Sequence, residues 1–214
     1  HNGFKGSWLA LTLINLKASV YGISLKNSSK MNFYSQNKLN KLIPEKNLNI
    51  KNYNKLKENI LKIKPDIIFH LAAQSLVKKS FENPIDTWHS NLIGTINILD
   101  SLRFLKKKCS IVIITSDKCY LNKERRRGYL ETDELGGLDP YGASKGAAEI
   151  AIRSYYHSFL KDLKNIKIVS ARAGNVVGGG DWNKNRIVPD CMKSWFKNSV
   201  IDIRSPRATR PWQH

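Results

Sequence analysis

Ile111-Val-Ile-Ile-Thr-Ser-Asp-Lys-Cys-Tyr120 decides the fold, read together with Tyr141-Gly-Ala-Ser-Lys145. Four apolar residues between a lysine run and a polar cluster predict a buried strand of a parallel sheet. Thr115, Ser116, Asp117 and Lys118 then stand at its carboxyl end. Open α/β sheets bind their ligands at that end of their strands. Asp139-Pro140 predicts a cap and a first helical turn. Tyr141 and Lys145 follow, one turn apart on one face of that helix. A lysine beside a phenol favours the phenolate, so Tyr141 can act as a base near neutral pH. The same pair is also an ordinary half-buried tyrosine beside a solvated lysine. The Ser-Asp-Lys cluster ahead of it, with the glycine-rich turn that opens the chain, favours the chemical reading.

Working outward, Ile67-Ile-Phe-His-Leu71 and Lys167-Ile-Val-Ser-Ala-Arg172 predict two further buried strands. Val20–Ser24 and Leu48–Ile50 are shorter candidates. Helical periodicity marks the run from Trp8, Tyr53–Ile63, a long stretch from Pro84 to Phe104, and the segment after Tyr141. Residues 26–41 and 122–138 are polar and predict loops. Strand and helix alternate throughout, the pattern of a doubly wound, Rossmann-like parallel sheet. Strands 67–71, 111–116 and 167–172 are expected as parallel neighbours.

Several stretches are candidate ligand contacts. Gly3, Phe4 and Gly6 open the chain ahead of an apolar-periodic run. A glycine turn there would let backbone N–H groups meet a pyrophosphate at a helix N-terminus. A complete dinucleotide fingerprint needs an earlier glycine and a preceding strand, so the first strand of the sheet is expected to lie before His1. Leu71, Ala72, Ala73 and Gln74 close the 67–71 strand, and small residues there admit a flat ligand. His70 reads as a satisfied core histidine. Asn91 and Gly94 interrupt the long helix; a mid-helix Asn is commonly a packing residue and less often a ligand contact. Ala173–Trp182 is a glycine-rich loop containing Asn175. Arg186 leads into a short amphipathic helix, and Arg204, Arg207 and Arg210 could meet a diphosphate or simply be solvated.

Composition sets the outer bounds. The chain has 214 residues and a formal net charge of +19. Such charge suggests nucleic acid or an anionic surface when it is clustered. Here the lysines are scattered among asparagines, and the compact clusters are Lys106–Lys108 and Arg125–Arg127. No nucleic-acid partner is expected. Cys109, Cys119 and Cys191 fit neither a disulfide framework nor a metal site, which suggests a reducing, cytoplasmic setting. No run is long and apolar enough for a membrane span. The chain starts at His1 and stops at His214, so a fragment of a longer protein is expected, unstable or inactive alone if its central strand is missing.

On these residues the chain resembles the extended short-chain dehydrogenase/reductase family, nearest to its CDP-glucose 4,6-dehydratase group. The matching stretches are Gly3–Trp8, His70–Gln74, Thr115–Tyr120, Asp139–Lys145, Ala171–Trp182 and Arg210–His214. The resemblance implies a fold of two parts: an NAD-binding domain over 1–182 and the start of a substrate lobe over 183–214. It implies NAD as cofactor, held by Gly3, Phe4, Gly6, Leu71, Ala72, Ala73, Gln74, Asn91, Tyr141 and Lys145. It implies a nucleotide-sugar substrate, CDP-glucose, met by Asn175, Arg186 and Arg210, and a homo-oligomer at full length. In the implied reaction Tyr141, aided by Lys145 and Ser116, deprotonates the 4-hydroxyl during oxidation at C4. Lys118 then takes the C5 proton and Asp117 protonates the departing 6-hydroxyl. Related dTDP- and GDP-sugar dehydratases carry a glutamate at the position of Lys118. Lys26 stands where the family places a ribose-binding acid, and Asn49 where it places an aspartate near the adenine, which leaves NAD or NADP open. Rival readings are a 4-epimerase of the same fold, which needs no Asp117–Lys118 pair, and a basic binding module without catalysis.

Overall fold

The computed structural model describes residues 1–26, 31–183, 185–203 and 205–214. In chain order the elements are α1 (Phe4–Asn15), β1 (Gly22–Ser24), α2 (Phe33–Gln36), β2 (Glu45–Asn47), α3 (Tyr53–Ile63) and β3 (Ile67–His70). Then come α4 (Val77–Glu82), α5 (Pro84–Trp88), a π-helical turn (His89–Ile93), α6 (Gly94–Leu102), β4 (Cys109–Ile114) and α7 (Pro140–Tyr155). The rest is β5 (Ile166–Ala171), β6 (Asn175–Val176), α8 (Ile187–Phe196) and β7 (Trp212–Gln213). The fold is α/β with parallel sheets. It divides into two compact units, one of residues 47–173 and one of residues 1–46 with 174–214.

The 47–173 unit is built on a parallel sheet in the order β3-β4-β5. The three apolar runs quoted above are neighbours, with Ile68 beside Ile111 and Ile111 beside Ile168. β4 is central and alternates buried and half-buried residues; Ile111 and Ile113 are wholly enclosed. The flanking strands are less buried than expected: Ile67 is 54% and Val169 58% exposed. Leu99, Leu102, Ile98, Ile152 and Leu160 complete the core of this unit. The helix expected from Pro84 to Phe104 forms as α5, one π turn and α6 without a break.

The other unit holds the β1–β2 pair and the parallel β6–β7 pair. Ala10, Tyr34, Leu39 and Ile43 form its buried cluster. Two local expectations fail in the first 52 residues. The strand expected at Leu48–Ile50 lies at Glu45–Asn47 instead. Residues 48–52 turn, because Asn49 Oδ1 accepts from Lys51 N and Asn52 caps α3. Within the expected 26–41 loop, residues 31–41 contain α2 and a 3₁₀ turn at Leu39–Lys41. Asn32 caps α2, and Tyr34 and Leu39 supply the burial that polar composition concealed.

Candidate active site

β4 ends at Ile114, and the chain turns at once into a 3₁₀ turn over Asp117–Cys119. Ser116 is the N-cap: its Oγ accepts from Lys118 N at 3.3 Å and donates to Asp117 Oδ1 at 3.0 Å. Asp117 N donates to Ala173 O at 3.0 Å, tying this turn to the end of β5. Thr115 and Ser116 are buried. The polar cluster therefore sits at the carboxyl end of the central strand, the end at which open α/β sheets bind their ligands.

α7 starts as its sequence predicts. Asp139 Oδ1 accepts from Tyr141 N and Gly142 N, each at 3.0 Å, and Pro140 occupies the first turn. Tyr141 and Lys145 lie on one face of the formed helix, and both are buried. Lys145 Nζ donates to Ile114 O at 3.2 Å, which places its ammonium at the carboxyl end of β4. The close approach depends on glycines. A Cβ on Gly142 would stand 2.9 Å from Lys118 O, and one on Gly146 3.2 Å from Cys119 O. The Gly142/Gly146 pair runs one residue behind Tyr141/Lys145. It seats the helix backbone against the turn that carries Ser116, Asp117 and Lys118. The spacing Gly-x-x-x-Gly stands in the sequence, but it does not announce the distant carbonyls the two glycines meet.

The loop after β3 is held by Asn91. Its Oδ1 accepts from Gln74 N at 2.8 Å, and its Nδ2 donates to Gln74 O at 3.0 Å and to Ser144 Oγ at 2.9 Å. Ser144 Oγ in turn donates to Tyr141 O at 2.7 Å. Both amide hydrogens of Asn91 are thus used within the protein, so it links the 71–74 loop to α7. The π turn presents it; such turns often mark functional sites. Gln74 is itself spent on Leu76 and Thr87. Leu71, Ala72 and Ala73 are half-buried at the strand end.

His70 bears out its reading as a core residue. It is buried, and its Nε2 lies 3.0 Å from Thr95 Oγ1. Thr95 already gives its hydrogen to Asn91 O at 2.7 Å, so His70 donates from Nε2. Burial, reinforced by Lys145, holds this imidazole neutral, with its pKa down to about 3.

Behind the turn lies a charged hub that no local pattern in the sequence marks. Glu149 takes Arg172 Nε at 3.1 Å and Nη2 at 3.2 Å, Ser170 Oγ at 3.1 Å and Thr115 Oγ1 at 2.5 Å. Burial alone would raise the Glu149 carboxyl; the bonds from Arg172, Thr115 and Ser170 together outweigh it and hold it below its ordinary range. Arg172 Nη1 also donates to Tyr120 OH at 2.9 Å and to Glu131 O at 3.1 Å. Burial of Cys119 pushes its thiol up to about 12, so it is no nucleophile.

The residues after Tyr120 form an ordered loop. Leu121 N donates to Glu134 O and Gly136 N to Cys119 O. Asp133 accepts from Arg125, Arg127 and Leu130 N, each between 2.7 and 2.8 Å. Arg127, then Leu130 N, hold its carboxyl well below the carboxylate range. The basic cluster is therefore partly neutralised from within.

In the 1–46/174–214 unit, Gly3 is the N-cap of α1. Nothing lies within 4 Å of where its Cβ would be, and the first turn of α1 holds no acidic residue. Gly6 has no such room: its Cβ would stand 2.9 Å from His1 Cα. The triple glycine of 178–180 packs against aromatic rings. Gly178 lies under Phe4, Gly179 O accepts from Trp8 Nε1 at 2.9 Å, and Gly180, at φ +81°, abuts Phe33. Asn175 N donates to Pro211 O at 3.0 Å in the β6–β7 pairing. Arg186 pairs with Asp181 at 2.8 Å, and Arg210 is exposed. Arg204 lies outside the described residues. Among the described residues no group of His, Cys, Asp or Glu could hold a metal, and no helix is long and apolar enough to cross a membrane.

Comparison with known proteins gives this parallel α/β fold, with its Tyr/Lys helix seated on a Ser-Asp-Lys turn, a family. The chain belongs to the GDP-mannose 4,6 dehydratase family, whose pattern matches residues 1–188. It is 41% identical over its whole length to CDP-glucose 4,6-dehydratase of Salmonella typhimurium, and spans 61% of that protein. It is 30% identical, over 94% of its length, to dTDP-D-glucose 4,6-dehydratase of Dictyostelium discoideum, of which it spans 48%. Among solved structures, a UDP-glucose 4-epimerase from Thermotoga maritima with UDP-glucose shares the fold at TM-score 0.84 and 20% identity. The match covers 99% of this chain and 66% of that one. A dTDP-glucose 4,6-dehydratase from Streptomyces venezuelae with NAD bound does so at 0.81 and 18%, over 99% of this chain and 65% of that one.

Proposed function

We propose that the full-length protein is an NAD-dependent nucleotide-sugar 4,6-dehydratase that converts CDP-glucose to its 4-keto-6-deoxy product. The observation that carries this is the seating of the Tyr141/Lys145 helix on the Ser116–Asp117–Lys118 turn. Its chemistry suits the relative that is 41% identical across the whole chain. We assign residues 1–182 to a cofactor-binding domain and 183–214 to the start of a substrate lobe.

The residues present suit NAD. The amides at the start of α1 face no carboxylate of their own first turn, and the open space over Gly3 leaves them approachable by a pyrophosphate. In the other unit, Leu71, Ala72 and Ala73 offer a small-residue edge, and Lys145 offers an ammonium for a ribose. Gln74 and Asn91, bonded to one another, fix the shape of that edge, and Phe4 packs against Gly178. NAD, when bound, supplies the hydride acceptor and donor that the reaction needs. Lys26 would welcome a 2′-phosphate, so NADP belongs in the titration.

The chain's own groups then divide the proton traffic. Tyr141 takes the proton of the sugar 4-hydroxyl, with the Lys145 charge favouring its phenolate. Ser116, its hydroxyl turned from Asp117 Oδ1, donates a hydrogen bond to the same oxygen. Once C4 is a ketone the C5 proton is acidic, and Lys118 removes it. Asp117 protonates the 6-hydroxyl as it leaves. Arg186 and Arg210, with Asn175, would serve the nucleotide diphosphate.

Incubation of the full-length protein with CDP-, dTDP-, GDP- and UDP-glucose is expected to give a 4-keto sugar lacking its 6-hydroxyl from CDP-glucose. A product that keeps the 6-hydroxyl and inverts C4 would make it an epimerase. Tyr141→Phe should lose about a hundred- to ten-thousand-fold in turnover. Asp117→Asn should still exchange the C5 hydrogen with solvent but stall before water loss, whereas Lys118→Met should abolish that exchange. Dehydration at wild-type rate in both variants would overturn the assignment of these two groups.

A further inference from the structure

The segment that carries Ser116, Asp117 and Lys118 is gripped at both ends by one buried ion pair. At its start, Thr115 Oγ1 donates to Glu149 Oε1 at 2.5 Å. At its end, Tyr120 OH accepts from Arg172 Nη1 at 2.9 Å, and the guanidinium carbon lies 4.8 Å from the Tyr120 ring centre. Glu149 and Arg172 meet through two bonds, with 6% and 14% of their side chains exposed. A planar guanidinium in a bidentate grip has little freedom to shift. The same Arg172 nitrogen also holds Glu131 O, and Tyr120 stacks on Tyr129 at 5.1 Å. Glu149 stands on α7, one turn beyond Lys145, and Arg172 follows β5. One charge pair thus sets the span from Thr115 to Tyr120 and fixes the 129–136 side of the loop to it.

We propose that Glu149 and Arg172 are positioning residues that hold the Asp117–Lys118 turn in its working geometry, rather than a stabilising pair alone. The proposal rests on the dehydratase reading for its kinetic part. Its consequence is selective: the proton steps of Asp117 and Lys118 should depend on the clamp more than the step served by Tyr141, which the Asp139 cap holds locally at the start of α7.

Tyr120→Phe and Thr115→Val each remove one end of the clamp and leave both members of the ion pair in place. Arg172→Lys keeps the charge and loses the fork. In full-length protein without ligands, hydrogen exchange should rise about tenfold or more in the amides of 117–121 and 129–136 of Tyr120→Phe, with those of 109–113 unchanged. In the loaded enzyme, the water-loss step should fall about ten- to a hundredfold in kcat, with KM and the C4 oxidation rate near wild type. Unchanged exchange at 117–121, or exchange that rises equally throughout the 47–173 unit, would overturn the clamp. So would equal losses in both chemical steps. If the wild-type protein turns over no nucleotide sugar, the dehydratase reading fails, and the exchange pattern alone decides the clamp.

Discussion

A single buried imidazole shows how much the surroundings of a residue decide its role. His70 stands at the carboxyl end of a sheet strand, a place where a histidine could serve as acid or base. It is instead enclosed, donating to Thr95, with a lysine nearby. Its folded-state pKa of about 3 lies below the ordinary 6.5. Below pH 6.5 the unfolded chain therefore takes up a proton that the folded chain refuses. Stability from this group is full above that pH and is lost as pH falls from about 6.5 towards 3, at up to about 1.4 kcal/mol per pH unit. His70→Gln keeps an N–H for Thr95 and cannot titrate. Urea unfolding from pH 7 to 4 should show a slope shallower by about 1 kcal/mol per pH unit in the variant. Identical slopes would mean that His70 is protonated in the folded protein.

At the scale of elements, α7 is the part on which the site turns. Gly→Ala within a helix ordinarily stabilises it by up to about 1 kcal/mol. At Gly142 the sign should reverse, because the new Cβ would meet Lys118 O at 2.9 Å and Gly137 Cα at 3.1 Å. Gly142→Ala is expected to destabilise by about 1–3 kcal/mol through overpacking, and to lower turnover by moving Tyr141 off the turn. Gly128→Ala, with nothing within 4 Å, should do neither. A melting temperature unchanged in Gly142→Ala would remove the glycine contact from the account. The start of this helix was legible because Asp139-Pro140 is local chemistry, and the three sheet strands because apolar runs need no knowledge of their partners. What stayed hidden depends on distant pairing. Glu149 and Arg172 are 23 residues apart, and no periodicity announces their meeting. Asn91 acts as a strut because the π turn and a loop 17 residues away converge on it. The glycines of 178–180, legible only as part of a glycine-rich loop, pack against Phe4, Trp8 and Phe33.

For the molecule as a whole, the excess of positive charge is what most separates the enzymatic reading from a basic binding module. The formal net charge is +19. Yet each compact cluster is partly neutralised: Arg125 and Arg127 close on Asp133, and Lys107 pairs with Asp66 at 2.8 Å. The remaining lysines are dispersed, a distribution that attracts polyanions without reading them. Association with DNA should therefore be independent of sequence and carried by counterion release. It should weaken about a thousandfold or more between roughly 50 and 200 mM salt if six or more phosphates are engaged. Turnover of a nucleotide sugar, which brings only two phosphates, should change far less over the same range. Fluorescence anisotropy with two unrelated DNA duplexes, run beside the keto-sugar assay on full-length protein, compares the two responses directly. Equal affinities that collapse together with salt, while turnover persists, are the expected result. Tight binding of one duplex over the other at 200 mM salt, with no sugar turned over, would give the chain to the binding-module reading.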